Sequence, residues 1–198
     1  MEKCEWCKDG GIMEKYHDEE WGIPLHDDQK HFEYLMMEVM QCGLNWRMML
    51  QKRETFRRCF DNFDFRKIAK YDEKKVEQIL NTPDMIKSPR KIRAIISNAA
   101  AYQKIIADYG SFDEFLWSHS DHKTIVYKDH QKTPVASNEL SDTISKELKK
   151  RGFKYLGSVT VYSHLQACGV INDHQENCFL YEKILSKYPV QFRETDKA

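Results

Sequence analysis

Apolar side chains recur along most of this chain with a helical period. Residues 28–42 place Phe32, Leu35, Met36, Val39 and Met40 on one face. Asn45 is placed to cap a second helix, on which Met49, Phe56 and Phe60 share a side. Asp64 and Asp72 open two short helices. Ser88-Pro89 reads as a cap followed by proline at the first helical position. The helix it opens buries Ile92, Ile95, Ile96, Ala99, Tyr102, Ile106 and Tyr109 and stops at Gly110. Ser111 starts a short helix ending near Trp117, residues 119–136 read as a polar loop, and Ser137 to Arg151 is helical with Gly152 as terminator. "SVTVYSHLQACG" is β-branched in its first half, but its apolar spacing and length predict helix. A last helix covers about 175–187, and the tail from Pro189 is expected to be loose. The pattern predicts an all-α chain: one compact domain over 1–188 and a flexible tail over 189–198.

One stretch departs from plain amphipathicity. "MMEVMQCGLNW", Met36 to Trp46, is an apolar run broken by a single carboxylate, Glu38. On residue type alone Glu38 is the polar flank of a helix, beside Tyr34 and Gln41.

Composition narrows the function classes. Lysine plus arginine and aspartate plus glutamate each number 31 in 198 residues, which argues against coating nucleic acid by bulk charge. Local basic clusters remain: Lys52-Arg53 with Arg57-Arg58, Lys87 with Arg90-Lys91 and Arg93, and Lys149-Lys150-Arg151. Any one of these is ordinarily a solvated helix face. No apolar run reaches the ~20 residues of a membrane span, and the first residues lack a secretory h-region. A cytoplasmic protein without membrane attachment is expected, its six cysteines being thiols or metal ligands rather than disulfides.

Metal-ligand chemistry gathers at the two ends. Cys4 and Cys7 stand in "CEWC", His17 in "YHDEEWG", and His174 and Cys178 in "DHQENC", four apart and so expected on one helix face. Two thiolates and two imidazoles make a tetrahedral zinc set; with four protein ligands such a site has no position for a catalytic water. Spacing alone leaves Cys4 and Cys7 as alternatives, and separate buried thiols and surface histidines as the plainer reading.

The blocks "CEWC", "YHDEEWG", "QCGLNW", "ELKKRGFKYLG" and "QACGVINDH", in that order from Met1 to about Cys178, resemble the 3-methyladenine DNA glycosylase I (Tag) family. The resemblance implies a compact α-helical fold of the helix-hairpin-helix glycosylase superfamily. It also implies one structural Zn²⁺ per chain at Cys4, His17, His174 and Cys178, joining the N- and C-terminal regions. It further implies a base pocket containing Tyr16, Glu38 and Trp46, with Trp6 and Trp21 nearby. Without the family, these tryptophans and Tyr16 are core aromatics as readily as pocket walls.

The implied function is a DNA N-glycosylase of base excision repair. It would excise 3-methyladenine, a cationic alkylated purine, from double-stranded DNA by nucleotide flipping, release the free base, and work as a monomer. Aromatic faces suit a flat cation, and a carboxylate accepts hydrogen bonds from the adenine amino edge. Glu38 is therefore assigned to base binding first and to water activation second, because the family lacks the aspartate many related glycosylases use. For phosphates, the helix start with Lys87, Ser88, Arg90 and Lys91 is the expected anion site.

The chain departs from the family pattern at Asn45 (usually serine), Cys42 (commonly alanine), Val39-Met40 (a glycine-containing step), Met13 (an aromatic), His164 (commonly phenylalanine) and "KSPRKI" (an arginine-asparagine-rich turn). These departures motivate a second expectation, a zinc-stapled lesion-binding protein of altered or absent cutting activity. A zinc hydrolase is a third, which the fourth ligand argues against.

Overall fold

The computed structural model describes residues 1–8, 10–41, 43–128 and 135–194. The helices are α1 (Ile12–Glu19), α2 (Asp28–Gln41), α3 (Trp46–Cys59), α4 (Phe65–Ile68), α5 (Glu73–Asn81), α6 (Pro89–Tyr109), α7 (Phe112–Ser118), α8 (Glu139–Lys150), α9 (Ser158–Ala167) and α10 (Phe179–Lys187). Two short strands, β1 (Thr124–Tyr127) and β2 (Val190–Arg193), pair in parallel, Thr124 opposite Val190. Among the described residues no helix is long and apolar enough to cross a membrane.

Local chemistry explains the helix starts. The side chains of Asn45, Asp64, Asp72 and Ser111 accept backbone N–H groups of Met48, Arg66, Lys75 and Glu114, and Asn138 forms a reciprocal capping box with Ser141. Ser88 holds the cap position of α6 without a side-chain cap bond, leaving Pro89 as the start signal. On α6, Ile92, Ile95, Ala99, Tyr102 and Ile105 are buried. Tyr109 is exposed, contrary to the periodicity, and lies under the Arg151 guanidinium, 5.1 Å from its ring centroid.

The centre of the molecule is α2, buried on every side from His31 to Met40 and packed by α3, α6, α7 and α9. This overturns the reading of Glu38 as the wet edge of an amphipathic helix: no face of this segment is wet. The burial also takes in Glu33, whose carboxylate accepts Nε of Arg53 at 2.5 Å and Nε of Arg57 at 3.0 Å. Arg53 Nη1 donates to Glu20 at 2.8 Å, and Tyr34 donates its hydroxyl to the same carboxylate at 2.7 Å. The end of α1, α2 and α3 are thus tied by one buried ion network. Arg53 and Arg57 serve it rather than forming part of a solvated basic face.

Two expectations fail. Within 119–136, "TIVY" forms β1, because a β-branched buried run finds partners on both sides. Ile125 N donates to Val170 O at 2.8 Å, and Asn172 N to Ile125 O at 2.9 Å. On the other side, Val190–Arg193 adds as β2, so the tail is ordered through this stretch; residues 129–134 and 195–198, and Cys42, lie outside the described residues.

Candidate functional site

α1 carries two functions on adjacent residues. A turn of about 100° separates consecutive side chains, so Tyr16 and His17 face different sites, and both are buried.

Tyr16 faces a pocket of about 230 Å³ between α1, α2, the start of α3 and α9. Its ring centroid lies 5.7 Å from that of Trp46 and 6.5 Å from Trp6, and Trp6 meets Trp21 edge-on at 5.0 Å. Glu38 lines the same pocket and is only 7% exposed. Burial pushes its carboxyl up to about 8, so in the free protein it holds a proton at neutral pH. The Trp46 indole N–H is buried without a hydrogen-bond partner, a donor still to be satisfied. The five pocket residues expected from the sequence therefore come together.

The pocket also contains residues that sequence reasoning missed: Gln41, one turn beyond Glu38, and Ser163 and Gln166 on α9. Gln41 donates to Leu44 O at 2.8 Å and Gln166 to Asp173 Oδ2 at 2.8 Å, bonds that fix each amide in the wall. Their signal was weak, because α9 reaches the pocket only through tertiary packing on α2. Of the departures from the family pattern, Met13 lines the pocket, while Asn45 faces solvent and acts as the α3 cap, a task serine performs equally well.

His17 faces the second site. Cys4, His17, His174 and Cys178, all buried, offer one donor atom each, and all four lie within 4.8 Å of one another. Cys4 Sγ is 3.5 Å from His174 Nδ1, and Cys178 Sγ is 3.5 Å from His17 Nε2 and 3.7 Å from His174 Nδ1. A tetrahedral ion with bonds of about 2.3 Å to sulfur and about 2.0–2.1 Å to nitrogen requires sulfur–nitrogen edges of about 3.5 Å, so the donor set fits such an ion. The outer nitrogens are held as a metal site needs: His17 Nδ1 lies 2.8 Å from Asp18 Oδ1, and His174 Nε2 is 3.1 Å from Trp21 O. Cys7 is outside the set, its thiol bonded to Cys4 O at 3.0 Å, so it is Cys4 that offers its sulfur to the cluster.

His174 and Cys178 do not share a helix face, as their spacing suggested. They flank a turn closed by Cys178 N to Gln175 O at 2.7 Å, and Cys178 is the cap residue of α10. Around them the chain ends meet: Phe179 N donates to Glu2 O, and Glu5 N to the Gln175 side chain. Gly22 makes room for this. Its φ is +77°, and a Cβ there would stand 2.5 Å from His174 Nε2.

The expected phosphate-binding residues begin α6. Lys87 and Arg90 are exposed, whereas Lys91 donates to Met40 O at 2.8 Å at the end of α2. The start of α6 is thereby fastened beside the turn that carries Gln41 and the pocket mouth.

Three comparisons place this architecture. The chain matches the family model for methyladenine glycosylase over residues 6–181. It is 41% identical over 182 residues to DNA-3-methyladenine glycosylase 1 of Escherichia coli (strain K12), covering 91% of this chain and 97% of that protein. It is 38% identical to the DNA-3-methyladenine glycosylase of Haemophilus influenzae, covering 89% of this chain and 96% of that protein. A solved structure of 3-methyladenine DNA glycosylase I from Staphylococcus aureus, which concerns 3-methyladenine recognition, superposes with a TM-score of 0.85 at 32% identity, over 89% of this chain and 95% of that one. With matches spanning nearly its whole length, the chain belongs to the methyladenine glycosylase family.

Proposed function

We propose that this chain is a DNA-3-methyladenine glycosylase whose Tyr16–Glu38–Trp46 pocket receives the alkylated base flipped out of double-stranded DNA. The observation that carries the reading is a single buried acid in the wall of a nucleobase-sized aromatic pocket. A pocket of this volume is small beside those that bury drug-sized ligands. Trp46 and Tyr16, with Trp6 and Trp21 behind them, offer faces to a flat cation. As the cationic base enters, its charge favours the carboxylate, so Glu38 releases its proton to solvent and accepts from the adenine amino edge. The Trp46 indole N–H supplies a donor for a ring nitrogen.

The reaction then needs little further help. The N-glycosyl bond breaks with its electron pair going to the base, which leaves as neutral 3-methyladenine. A water oxygen bonds the sugar carbon, and its proton passes to solvent. The base cation is already a good leaving group, so no acid has to protonate it, and no protein nucleophile is required. The role of Glu38 is to hold the base.

The same reading assigns a structural Zn²⁺, one per chain, to Cys4, His17, His174 and Cys178. Bound there, it fastens the two chain ends and leaves no coordination position for a reacting water. Lys87, Ser88 and Arg90 at the amino end of α6 grip a DNA phosphate. Lys91 acts indirectly, by fixing that helix start against α2. The test is single-turnover release of free 3-methyladenine from methylated duplex DNA by purified protein. Release of the base supports the reading, whereas lesion binding without release points to the non-cutting alternative.

A further inference from the structure

A second cluster of metal-ligating side chains lies deeper in the fold than the Cys4 set. His31 on α2, and His164 and Cys168 at the end of α9, are all buried and bring one donor atom each within 4.8 Å of the others. The imidazole rings of His31 and His164 are 5.5 Å apart at 61°.

The polar atoms here are unusual for a core. Both ring nitrogens of His164 are buried without a hydrogen-bond partner, as is His31 Nδ1. Buried polar groups are nearly always paired, so orphaned nitrogens on both facing imidazoles call for a ligand, and a shared ion would satisfy one on each ring. The outer side of His31 is already arranged: Nε2 lies 3.1 Å from Leu25 O and 3.3 Å from Asp113 Oδ1. Two acceptors fix the proton on Nε2 and leave Nδ1 with a free lone pair, the carboxylate–histidine arrangement found behind metal ligands.

We infer that His31, His164 and Cys168 form a second metal site, which takes a thiophilic d¹⁰ cation, Zn²⁺ or Cu⁺, through two imidazoles and one thiolate. Bonds of about 2.0–2.3 Å require the donors, which lie within 4.8 Å of one another, to close to about 3.5–3.8 Å when the ion binds. The charge is suited to a buried site. Cu⁺ with one thiolate is neutral, and Zn²⁺ with one thiolate leaves a single positive charge facing Asp113. Binding releases the thiol proton of Cys168, which passes to solvent.

The location gives the site a consequence. His31 stands two turns from Glu38 on α2, while α9 contributes Ser163 and Gln166 to the opposite wall of the base pocket. An ion bridging α2 to α9 would fix the separation of those walls.

The test uses wild-type protein and the variants His164→Phe and Cys168→Ser. Each is stripped with chelator and reloaded under reducing conditions with Zn²⁺ or, in a separate arm, Cu⁺. Metal per chain is read by elemental analysis after gel filtration. We expect each variant to hold one ion fewer than wild type while keeping its helical signal, and the arm that saturates identifies the ion. Equal metal content in wild type and His164→Phe would overturn the site. Should the variants fail to fold, anomalous diffraction at the zinc and copper edges from metal-loaded wild-type crystals decides. A peak among His31, His164 and Cys168 supports the site, and a peak confined to the Cys4 cluster overturns it.

Discussion

Tyr16 and His17 are chain neighbours that serve two different centres. The Tyr16 ring stands 5.7 Å from Trp46 in the aromatic pocket, and His17 Nε2 stands 3.5 Å from Cys178 Sγ in the Cys and His cluster. One short helix therefore couples the fastening of the chain ends to the position of a pocket wall. We predict that His17→Ala lowers metal content and thermal stability and also weakens binding of 3-methyladenine, because α1 loses its anchor. Tyr16→Phe should weaken base binding alone, with metal content unchanged. Elemental analysis, thermal melts and base titration of both variants check this. Undiminished base affinity in His17→Ala would sink the coupling.

The sequence made helices legible wherever a cap and a 3.6-residue period coincided, as at Asn45, Asp72 and Ser88-Pro89. It misled where partners come from far along the chain. "TIVY" became a strand only because Val170 and the stretch from Val190 lie alongside it. The basic cluster holding Arg53 and Arg57 read as a solvated face because nothing local shows that Glu33 lies buried on an enclosed α2. The pocket aromatics and the four clustered Cys and His side chains stand in ordered motifs that the sequence displays. Gln41, Ser163 and Gln166 carry no local pattern, and the His164–Cys168 pair, spaced like His174–Cys178, gains His31 only through the packing of α9 on α2.

Gly22 offers a sharper test of the metal centre than removing a ligand. A Cβ at this position would stand 2.5 Å from His174 Nε2, and the backbone is in the left-handed region. Gly22→Ala should push the His174 ring away from Trp21 O and out of line with its partner ligands. Loss of the partner that orients a ligating imidazole typically costs about 10–100-fold in metal affinity. Competition with a chromophoric chelator measures it. Metal affinity equal to wild type would show that the ring position is unimportant.

Trp46 is half-buried, in the wall of the pocket rather than the core. Trp46→Ala is expected to leave the fold intact and to weaken 3-methyladenine binding by ~1–3 kcal/mol, the usual loss of one base–aromatic stack. Calorimetric titration with the free base, beside a thermal melt, separates the two effects. A variant that unfolds while the wild-type protein binds no base would return Trp46 to the core.

Glu38 links recognition to pH, and its direction can be worked out. Its carboxyl sits at about 8 in the folded protein through burial, above the ordinary glutamate value of 4.5 that stands for the unfolded chain. The folded state therefore binds the proton more tightly, and this group's contribution to stability is full below about 4.5. It declines as pH rises through that value and levels off above about 8. Glu38→Gln lacks that decline, so its melting temperature should gain on wild type between pH 5 and pH 9, by an amount growing with pH. Activity should run the other way. Reading the cationic base needs the carboxylate, so wild-type kcat/KM on methylated DNA should rise towards pH 8 while the variant lacks this limb. A hydrogen bond to a charged group contributes roughly 1.5–3 kcal/mol, and each ~1.4 kcal/mol is a factor of ten. At pH 8 and above the variant should release 3-methyladenine roughly 10- to 150-fold more slowly, with a smaller deficit at pH 6, where wild-type Glu38 is itself protonated. Single-turnover base release across that range, on one methylated duplex, is the measurement. A deficit that stays constant with pH would mean the charge of Glu38 is not what reads the base.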